Sequence, residues 1–281
     1  MVIAERLATT PADWLGERAE LVWCHGDAAA IEANLPEAEG LIVRTYTQVD
    51  AALLDRAPKL KVVGRAGVGL DNIDLEACQA RGIEVVYTPD ANTQAVAEYV
   101  FALISDVLRP RPELTGQTSP EAFHDLRRTQ VGTQLEELTL GIIGFGRIGK
   151  RVGEIAYAIG MNLIVCDLLP ESQVRKAVDF PFHYYRNHLA AYTHSDIVTL
   201  HVDGRASNHH LVNAAALANF RERAILINTS RGFVVDPQAL ATWASEHPGA
   251  TAVLDVHEPE PPGPDYPLWD LPNVRLMPHL A

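Results

Sequence analysis

The stretch from Thr139 to Asp167, TLGIIGFGRIGKRVGEIAYAIGMNLIVCD, constrains the fold of this chain more than any other part of it. Thr139 to Ile143 is a β-branched, apolar run suited to a buried parallel strand, and Gly144, Gly146 and Gly149 follow it without a spacer. A helix is expected next. Ile148, Val152, Ile155, Ala156 and Ile159 recur on one helical face, Gly160 supplies a stop, and Leu163 to Cys166 forms a second apolar strand ending at Asp167. Gly144 then permits a tight turn, Gly146 lets backbone N–H groups approach a pyrophosphate at the positive helix end, and Gly149 lets the helix sit close to the strand. A carboxylate at Asp167 can accept the ribose hydroxyls of an adenosine and would repel a 2′-phosphate, so NAD is expected over NADP. Leu168 and Leu169 follow the acid where arginines would favour NADP; Arg175 and Lys176 are the next cations able to reach back.

At 281 residues the chain has room for two domains of ordinary size. Its net charge of −13 argues against nucleic acid and against an anionic membrane surface, both of which call for a basic face. Any anionic ligand must therefore be met by local arginines. Cys24, Cys78 and Cys166 stand far apart with no CxxC pair, which points to buried reduced thiols and a cytoplasmic setting. No apolar run approaches the roughly 18 residues of a membrane span, and no signal sequence opens the chain, so a soluble protein is expected. The pair His209-His210 lacks a metal-ligand spacing such as HExxH and reads as surface; no metal site is expected.

Along the first third, short strands at Leu21 to Cys24, Leu41 to Val43, Leu60 to Gly64 and Ile83 to Tyr87 alternate with helical segments at Asp27 to Asn34, Ala51 to Arg56 and Leu75 to Ala80. That alternation predicts a parallel sheet covered by helices, whose strands present their C-terminal ends to ligands. Arg44 and Arg65 follow two of these strands, and Arg65 leads into a glycine-rich turn through Gly67 and Gly69. Backbone N–H groups there can hold a carboxylate, or the turn can be a plain connection capped by Asp71 or Asn72. Gln94 to Leu108 reads as a helix apolar on nearly every side, buried between domains or subunits, and Arg109 to Gln134 as a polar linker or exposed arm. Beyond Asp167, strands are expected at Ile197 to His201, Ala224 to Asn228, Ala250 to Leu254 and Val274 to Met277, completing a doubly wound sheet of six strands. Asp236-Pro237 begins a helix with a cap followed by proline.

Chemistry belongs at the ends of these later strands. Arg231 follows one, Asp255 through Glu260 the next, and His279 the last. Hydride transfer to a carbonyl requires such a set: a guanidinium to grip a carboxylate and polarise the carbonyl, and a proton donor that titrates near neutrality beside an acid. Singly, Arg231 reads as a loop arginine, Glu260 as a solvated acid and His279 as a near-terminal histidine; their joint placement reverses that reading.

The text GRAGVGLDNIDLEA from Gly64, ANTQAVAEY from Ala91, LGIIGFGRIGKRV from Leu140, ILINTSRGFVVD from Ile225, LDVHEPEP from Leu254 and LPNVRLMPHLA from Leu271 resembles the D-isomer-specific 2-hydroxyacid dehydrogenases over nearly the whole chain. The resemblance implies an α/β protein of two doubly wound parallel-sheet domains, the larger a Rossmann dinucleotide-binding domain, with the active site in the cleft between them. It places a flavodoxin-like substrate-binding domain at residues 1–95 with 277–281 and the NAD-binding domain at 96–276. A homodimer built through the coenzyme domains is also implied. Matched residue by residue, Arg231 binds the substrate carboxylate and keto oxygen, His279 is the general acid/base, and Glu260, five residues past Asp255, is its partner in preference to Glu258. Val68 and Gly69 match amides that take the substrate carboxylate, and Arg44 and Arg65 resemble arginines of a phosphoglycerate dehydrogenase-like branch. The NAD set implied is the glycine turn with Arg147 and Ile148, then Asp167, His201, Thr229 and Asp255.

The expected function is interconversion of a small 2-keto acid and its D-2-hydroxy acid; the alternative is an NAD-sensing, corepressor-like binding module without turnover. Three positions depart from the family pattern. Asp203 stands where a proline is usual, and His257 where an aromatic is common. Two residues follow His279 where relatives continue with a helix, so the chain is either naturally short or part of a longer one.

Overall fold

The computed structural model describes residues 1–129 and 131–281. It consists of two compact units, Met1–Asn92 and Thr93–Ala281. In the first, β1 (Val2–Ile3), α1 (Thr9–Gly16), β2 (Val22–Trp23), α2 (Ala28–Asn34), β3 (Gly40–Val43), α3 (Ala51–Asp55), β4 (Val62–Arg65), α4 (Leu75–Ala80) and β5 (Glu84–Tyr87) alternate. The five strands form one parallel sheet in the order β2-β1-β3-β4-β5. Sequence reasoning missed β1, which lies inside this sheet. Two residues are too few to show a period, yet Val2 and Ile3 are completely buried between β2 and β3. Asp27, Asp50 and Asp74 cap α2, α3 and α4 by accepting first-turn amides, each such cap contributing about 1 kcal/mol.

Glu5, just past β1, is buried and receives the Arg44 amide at 2.9 Å and those of Thr45 and Thr47 at 3.1 and 3.0 Å. Desolvation pushes its carboxyl up, but the amides of Thr47, Arg44 and Tyr46 outweigh it and hold the group below the usual carboxylate range. The loop that follows β3 is thus built on one buried acid.

The second unit comprises α5 (Thr93–Leu108), α6 (Pro120–Thr129), β6 (Thr139–Ile143), α7 (Arg147–Ile159), β7 (Asn162–Cys166), α8 (Glu171–Arg175), β8 (His183–Tyr185), α9 (His188–His194), β9 (Ile197–Leu200), α10 (Ala214–Leu217), β10 (Ile225–Asn228), α11 (Pro237–Glu246), β11 (Thr251–Leu254) and β12 (Val274–Leu276). Its sheet is parallel throughout and runs β12-β11-β10-β9-β6-β7-β8, with the order reversing at β6. Seven strands stand where six were expected. The extra one, β8, is a short edge strand of His183, Tyr184 and Tyr185 with no apolar run to announce it. The helix α7 buries Val152 and Ala156 and ends at Gly160 in the left-handed conformation, φ 95°.

The buried face of α5, Val96, Ala97, Val100, Leu103 and Ile104, shares a core with Val152 and Ala156 of α7 and with Leu140 and Ile142 of β6. Its apolar surface is thus used largely inside this unit. Within the stretch read as a linker the structure contains α6, whose residues are all solvent-facing or nearly so. Ser119 receives the Ala122 amide at 3.1 Å, followed by Pro120 and Glu121, a start signal that the polar composition masked; Gln130, also in that stretch, lies outside the described residues. The cysteines are buried and unpaired, as the spacing implies. No helix among the described residues is long and apolar enough to cross a membrane.

Candidate active site

The glycine turn between β6 and α7 is shaped by close approach. Gly144 has φ 88°, and a Cβ there would lie 2.5 Å from the His201 carbonyl oxygen; one on Gly149 would lie 2.2 Å from the Gly144 carbonyl. A Cβ on Gly146 would meet nothing within 4 Å, and no side chain caps α7 at this position. First-turn amides of a thirteen-residue helix therefore face open space, the arrangement that suits an anion. Arg147 and Ile148 open that turn. Asp167 receives the Phe145 amide at 2.7 Å and the Leu169 amide at 2.8 Å, one on each oxygen, and each oxygen keeps a lone pair for a further donor.

Arg175, one of the two cations able to reach back toward Asp167, is turned elsewhere: it pairs with Glu171 at 2.8 Å and its guanidinium lies 4.6 Å over the Phe182 ring. Arg205 instead feels the Asp167 charge. Asp203 grips it at 2.6 and 2.5 Å, and Asp203 first, Asp167 behind it, raise the guanidinium above its ordinary pKa. Sequence reasoning missed Arg205; the Asp203-x-Arg205 spacing at the position of the missing proline was the available signal. His201 follows β9 with Nε2 2.9 Å from Thr199 Oγ1, and desolvation pushes its pKa down to about 3, so the ring is neutral. Thr229, just past β10, carries a buried hydroxyl oxygen with no hydrogen-bond partner. An orphaned hydroxyl and an open Gly146 both fit a polar ligand laid along this sheet edge.

Two neighbouring loops carry the polar groups. After β10, Asn228 is fully buried: its Oδ1 accepts the Ser230 amide at 3.0 Å and hydroxyl at 2.8 Å, and its Nδ2 donates to the Arg231 carbonyl at 2.9 Å. That side chain shapes the turn from which Arg231 projects, with Arg231 Nη1 donating to the Ser230 carbonyl at 2.7 Å. A Cβ on Gly232 would fall 1.8 Å from the His257 carbonyl oxygen, so the loops after β10 and β11 meet backbone to backbone.

In the second loop Asp255 is fully buried, and its two oxygens accept the Leu280 and Ala281 amides, both at 2.9 Å. Tyr99 Oη donates to the same carboxylate at 3.3 Å, and burial together with this acid pushes the phenol up to about 12. Asp255 thus clamps the chain immediately past His279. His279 itself takes φ 56° and places Nδ1 2.5 Å from Glu260 Oε1. The carboxylate accepts, so Nδ1 carries a proton and Nε2 is the nitrogen left to work. Glu260 Oε2 also receives the His257 amide at 3.3 Å, and His257 Nε2 donates to the Met277 carbonyl at 2.7 Å. Glu258 turns away from this pair and faces His209 and His210.

In the first unit, β3 and β4 pair so that Val43 registers with Arg65, which puts Arg44 and Arg65 at one edge of the sheet. Arg44 is exposed and donates to the Arg6 carbonyl at 3.3 Å. Arg65 donates to the Ala66 carbonyl at 2.9 Å and folds its guanidinium over Gly67, with Val68 and Gly69 half-buried in the same turn.

Residues 101–281 match the family model described as D-isomer specific 2-hydroxyacid dehydrogenase, NAD binding domain. The chain is 35% identical over 282 residues to a D-3-phosphoglycerate dehydrogenase of Mycobacterium leprae, covering all of this chain and 52% of that protein. It is 36% identical over 250 residues to a glyoxylate reductase of Aeropyrum pernix, covering 87% of this chain and 74% of that one. A D-lactate dehydrogenase from Aquifex aeolicus, solved with NAD and lactic acid, superposes with a TM-score of 0.81 at 26% identity, over 99% of this chain and 87% of the solved one. The chain spans about half the length of the phosphoglycerate dehydrogenases that it matches.

Proposed function

The chain belongs to the D-isomer specific 2-hydroxyacid dehydrogenase family, and on that ground we propose that it interconverts a small 2-keto acid and its D-2-hydroxy acid with NAD as coenzyme. The observation that carries this reading is the contact of His279 Nδ1 with Glu260 at 2.5 Å, on the loops that leave the same parallel sheet as the glycine turn. NAD, when bound, accepts or supplies the hydride. Gly144, Gly146, Arg147, Ile148 and Gly149 seat its pyrophosphate, Asp167 takes the adenosine ribose, and His201, Thr229 and Asp255 line the remainder. Arg231 grips the substrate carboxylate and polarises the neighbouring carbonyl. His279 Nε2 delivers a proton to the carbonyl oxygen during reduction and removes it during oxidation, with Glu260 stabilising the imidazolium that alternates with the neutral ring.

On the substrate side, residues 1–95 serve as the substrate-binding domain and 96–276 as the coenzyme domain; residues 277–281, expected with the former, cluster instead with the second unit, where Asp255 holds the Leu280 and Ala281 amides. Val68 and Gly69 amides take the carboxylate, and Arg44 with Arg65 form a subsite for a further anionic group, the feature that favours a phosphorylated or extended acid over lactate. Two copies pair through their coenzyme domains. A proton-transfer dyad is superfluous in a module that merely senses NAD, so turnover is the better reading. The test is a panel of pyruvate, glyoxylate, hydroxypyruvate and phosphohydroxypyruvate with NADH. Turnover of at least one acid, lost in Arg231→Ala and His279→Ala, is expected. NADH binding with no turnover of any would overturn the proposal.

A further inference from the structure

Away from the glycine turn, the segment before α10 and the loop after β11 bring two imidazoles and a carboxylate together. His209 Nε2 lies 3.7 Å from Glu258 Oε1, His210 Nε2 lies 3.4 Å from Glu258 Oε2, and one ligand atom from each residue falls within 4.8 Å of the others. We propose that His209, His210 and Glu258 form a binding site for a zinc-class divalent cation that ties the loop carrying Glu260 to the segment before α10.

Four observations support it. The first is spacing: ligand atoms bound at about 2.0–2.1 Å in a tetrahedron stand roughly 3.4 Å apart, against 3.7 and 3.4 Å from the two rings to the two Glu258 oxygens and at most 4.8 Å within the set. Glu258 and His209 are partly solvent-facing and have freedom to make up the difference. Second, Asp236 Oδ2 lies 3.8 Å from His210 Nδ1, the ring nitrogen opposite the proposed metal-binding one. At that separation the carboxylate is an ion-pair neighbour and not a hydrogen-bond partner, and a closure of under about 1 Å would make it the acceptor that fixes the tautomer of a metal-bound histidine. Asp236 is itself immobilised, because its other oxygen caps α11 through the Gln238 and Ala239 amides at 3.0 and 3.1 Å.

Third, the backbone is held in an uncommon state to present these rings. His210 has φ 50°, in the left-handed region that a non-glycine side chain seldom adopts, while its amide donates to the Phe233 carbonyl at 2.8 Å. The next residues pair with the strand-like segment before α11, Val212 bridging to Val235. The His209 and His210 rings lie stacked at 3.9 Å between centroids, which brings a ring nitrogen of each to the same neighbourhood. Fourth, the donor set discriminates. Two imidazoles and one carboxylate suit zinc, cobalt, nickel or copper, whereas magnesium and calcium require oxygen donors throughout. Three protein ligands leave one position to water.

The ligands are distant in sequence, which is why the adjacent histidines alone read as surface; the third member arrives 48 positions after His210, from another loop. Glu258 is two residues from Glu260, so a bound cation restrains the segment whose carboxylate meets His279. Cation binding is therefore expected to raise stability and to alter turnover, the first independent of the dehydrogenase reading.

The experiment is titration of the metal-free full chain with Co²⁺, followed by its visible d–d absorption, and competition by Zn²⁺, on the wild type, His209→Ala, Glu258→Gln and Asp236→Asn. Unfolding in EDTA identifies any variant that has lost its fold. One tetrahedral-type Co²⁺ site per chain, displaced by Zn²⁺, is expected, with affinity about 10- to 100-fold lower in Asp236→Asn and at least as weak in the other two. Zinc should also raise the wild-type unfolding midpoint and leave that of His209→Ala unchanged. Absence of a saturable cobalt spectrum, or a spectrum unchanged in His209→Ala and Glu258→Gln, would overturn the site whether or not any 2-keto acid is reduced.

Discussion

His279 meets Glu260 through Nδ1 and Oε1 at 2.5 Å, and the chain past that histidine is fastened by a different acid, Asp255, through the Leu280 and Ala281 amides. One carboxylate orients the ring and the other fixes the backbone beneath it. Replacing Glu260 by Gln keeps the shape but removes the charge that stabilises an imidazolium. On the proposed reaction, kcat should fall by about 10²-fold or more with the KM for NADH little changed, while His279→Ala should lose about 10²- to 10⁴-fold. Steady-state kinetics on both variants decides; a Glu260→Gln enzyme at wild-type kcat would remove the dyad from the mechanism.

The Gly232 backbone contact separates positioning from chemistry. A methyl group there has its nearest neighbour at 1.8 Å, a backbone carbonyl that cannot swing aside, so Gly232→Ala must push the Arg231 and His257 loops apart. A loss of about 1–3 kcal/mol in urea unfolding is expected together with reduced turnover. Gly263→Ala, with nothing within 4 Å of the added atom, is the control that should change neither. Equal stability of the two variants would contradict the close approach.

What the sequence makes legible here is local or periodic. The glycine turn, the α7 helix with Val152 and Ala156 inward, the Asp236 cap and the stop at Gly160 are patterns written within a few residues, and each appears in the structure, whereas α5, read as apolar on nearly every side, buries one face and Ile159 of α7 is exposed. The two strands missed, β1 and β8, are short, and their places in the sheets are set by neighbours remote in the chain. Arg231, Glu260 and His279 were readable as candidates because topology sends successive strand ends to one edge. Their supports were not. Asn228 behind Arg231, the Asp255 clamp and the opposition of Glu258 to His209 and His210 are hydrogen-bonding or packing partnerships that no spacing rule encodes.

Asp255 also supplies a prediction that is read from stability and titration and not from turnover. Asparagine at this position offers one acceptor oxygen and turns N–H groups toward an amide donor, so Asp255→Asn cannot hold both Leu280 and Ala281. Amide exchange at residues 280 and 281 should quicken, with stability falling by about 1–3 kcal/mol. The Tyr99 phenol, which burial and this acid push up to about 12, should titrate at lower pH once the acid's charge is gone. Ultraviolet difference titration measures that shift; a Tyr99 titration unaltered by the substitution would show that burial alone sets it.

Coenzyme choice turns on whether Asp167 remains able to accept from a ribose while Phe145 and Leu169 already donate to it. Wild-type enzyme is expected to favour NADH over NADPH, because a 2′-phosphate beside this acid is repelled and Arg175 is committed to Glu171 and Phe182. Asp167→Ala should lower NADH efficiency and narrow the preference, with Arg205 the cation best placed to meet the phosphate. The ratio of kcat/KM for the two coenzymes, in wild type and variant, is the measurement. Equal use of both by the wild type would count against Asp167 as the discriminating group.

The acid limb of stability should carry the signature of His201. Its pKa is pushed from 6.5 in the unfolded chain down to about 3 by desolvation, so the native ring stays neutral where the unfolded one takes up a proton. Above the unfolded pKa neither state is charged and the ring contributes no pH dependence. As pH falls through that value the unfolded state gains the proton, and stability drops by at most about 1.4 kcal/mol per pH unit until the native pKa is reached. Burial lowers His188 as well, so the contribution of His201 is isolated as a difference between proteins. His201→Asn keeps a polar group near Thr199 without a titrating one. Urea unfolding of both proteins at pH 7 and pH 4.5 should show wild type losing about 2 kcal/mol more than the variant over that interval. Parallel losses would mean that the buried ring accepts its proton in the folded protein.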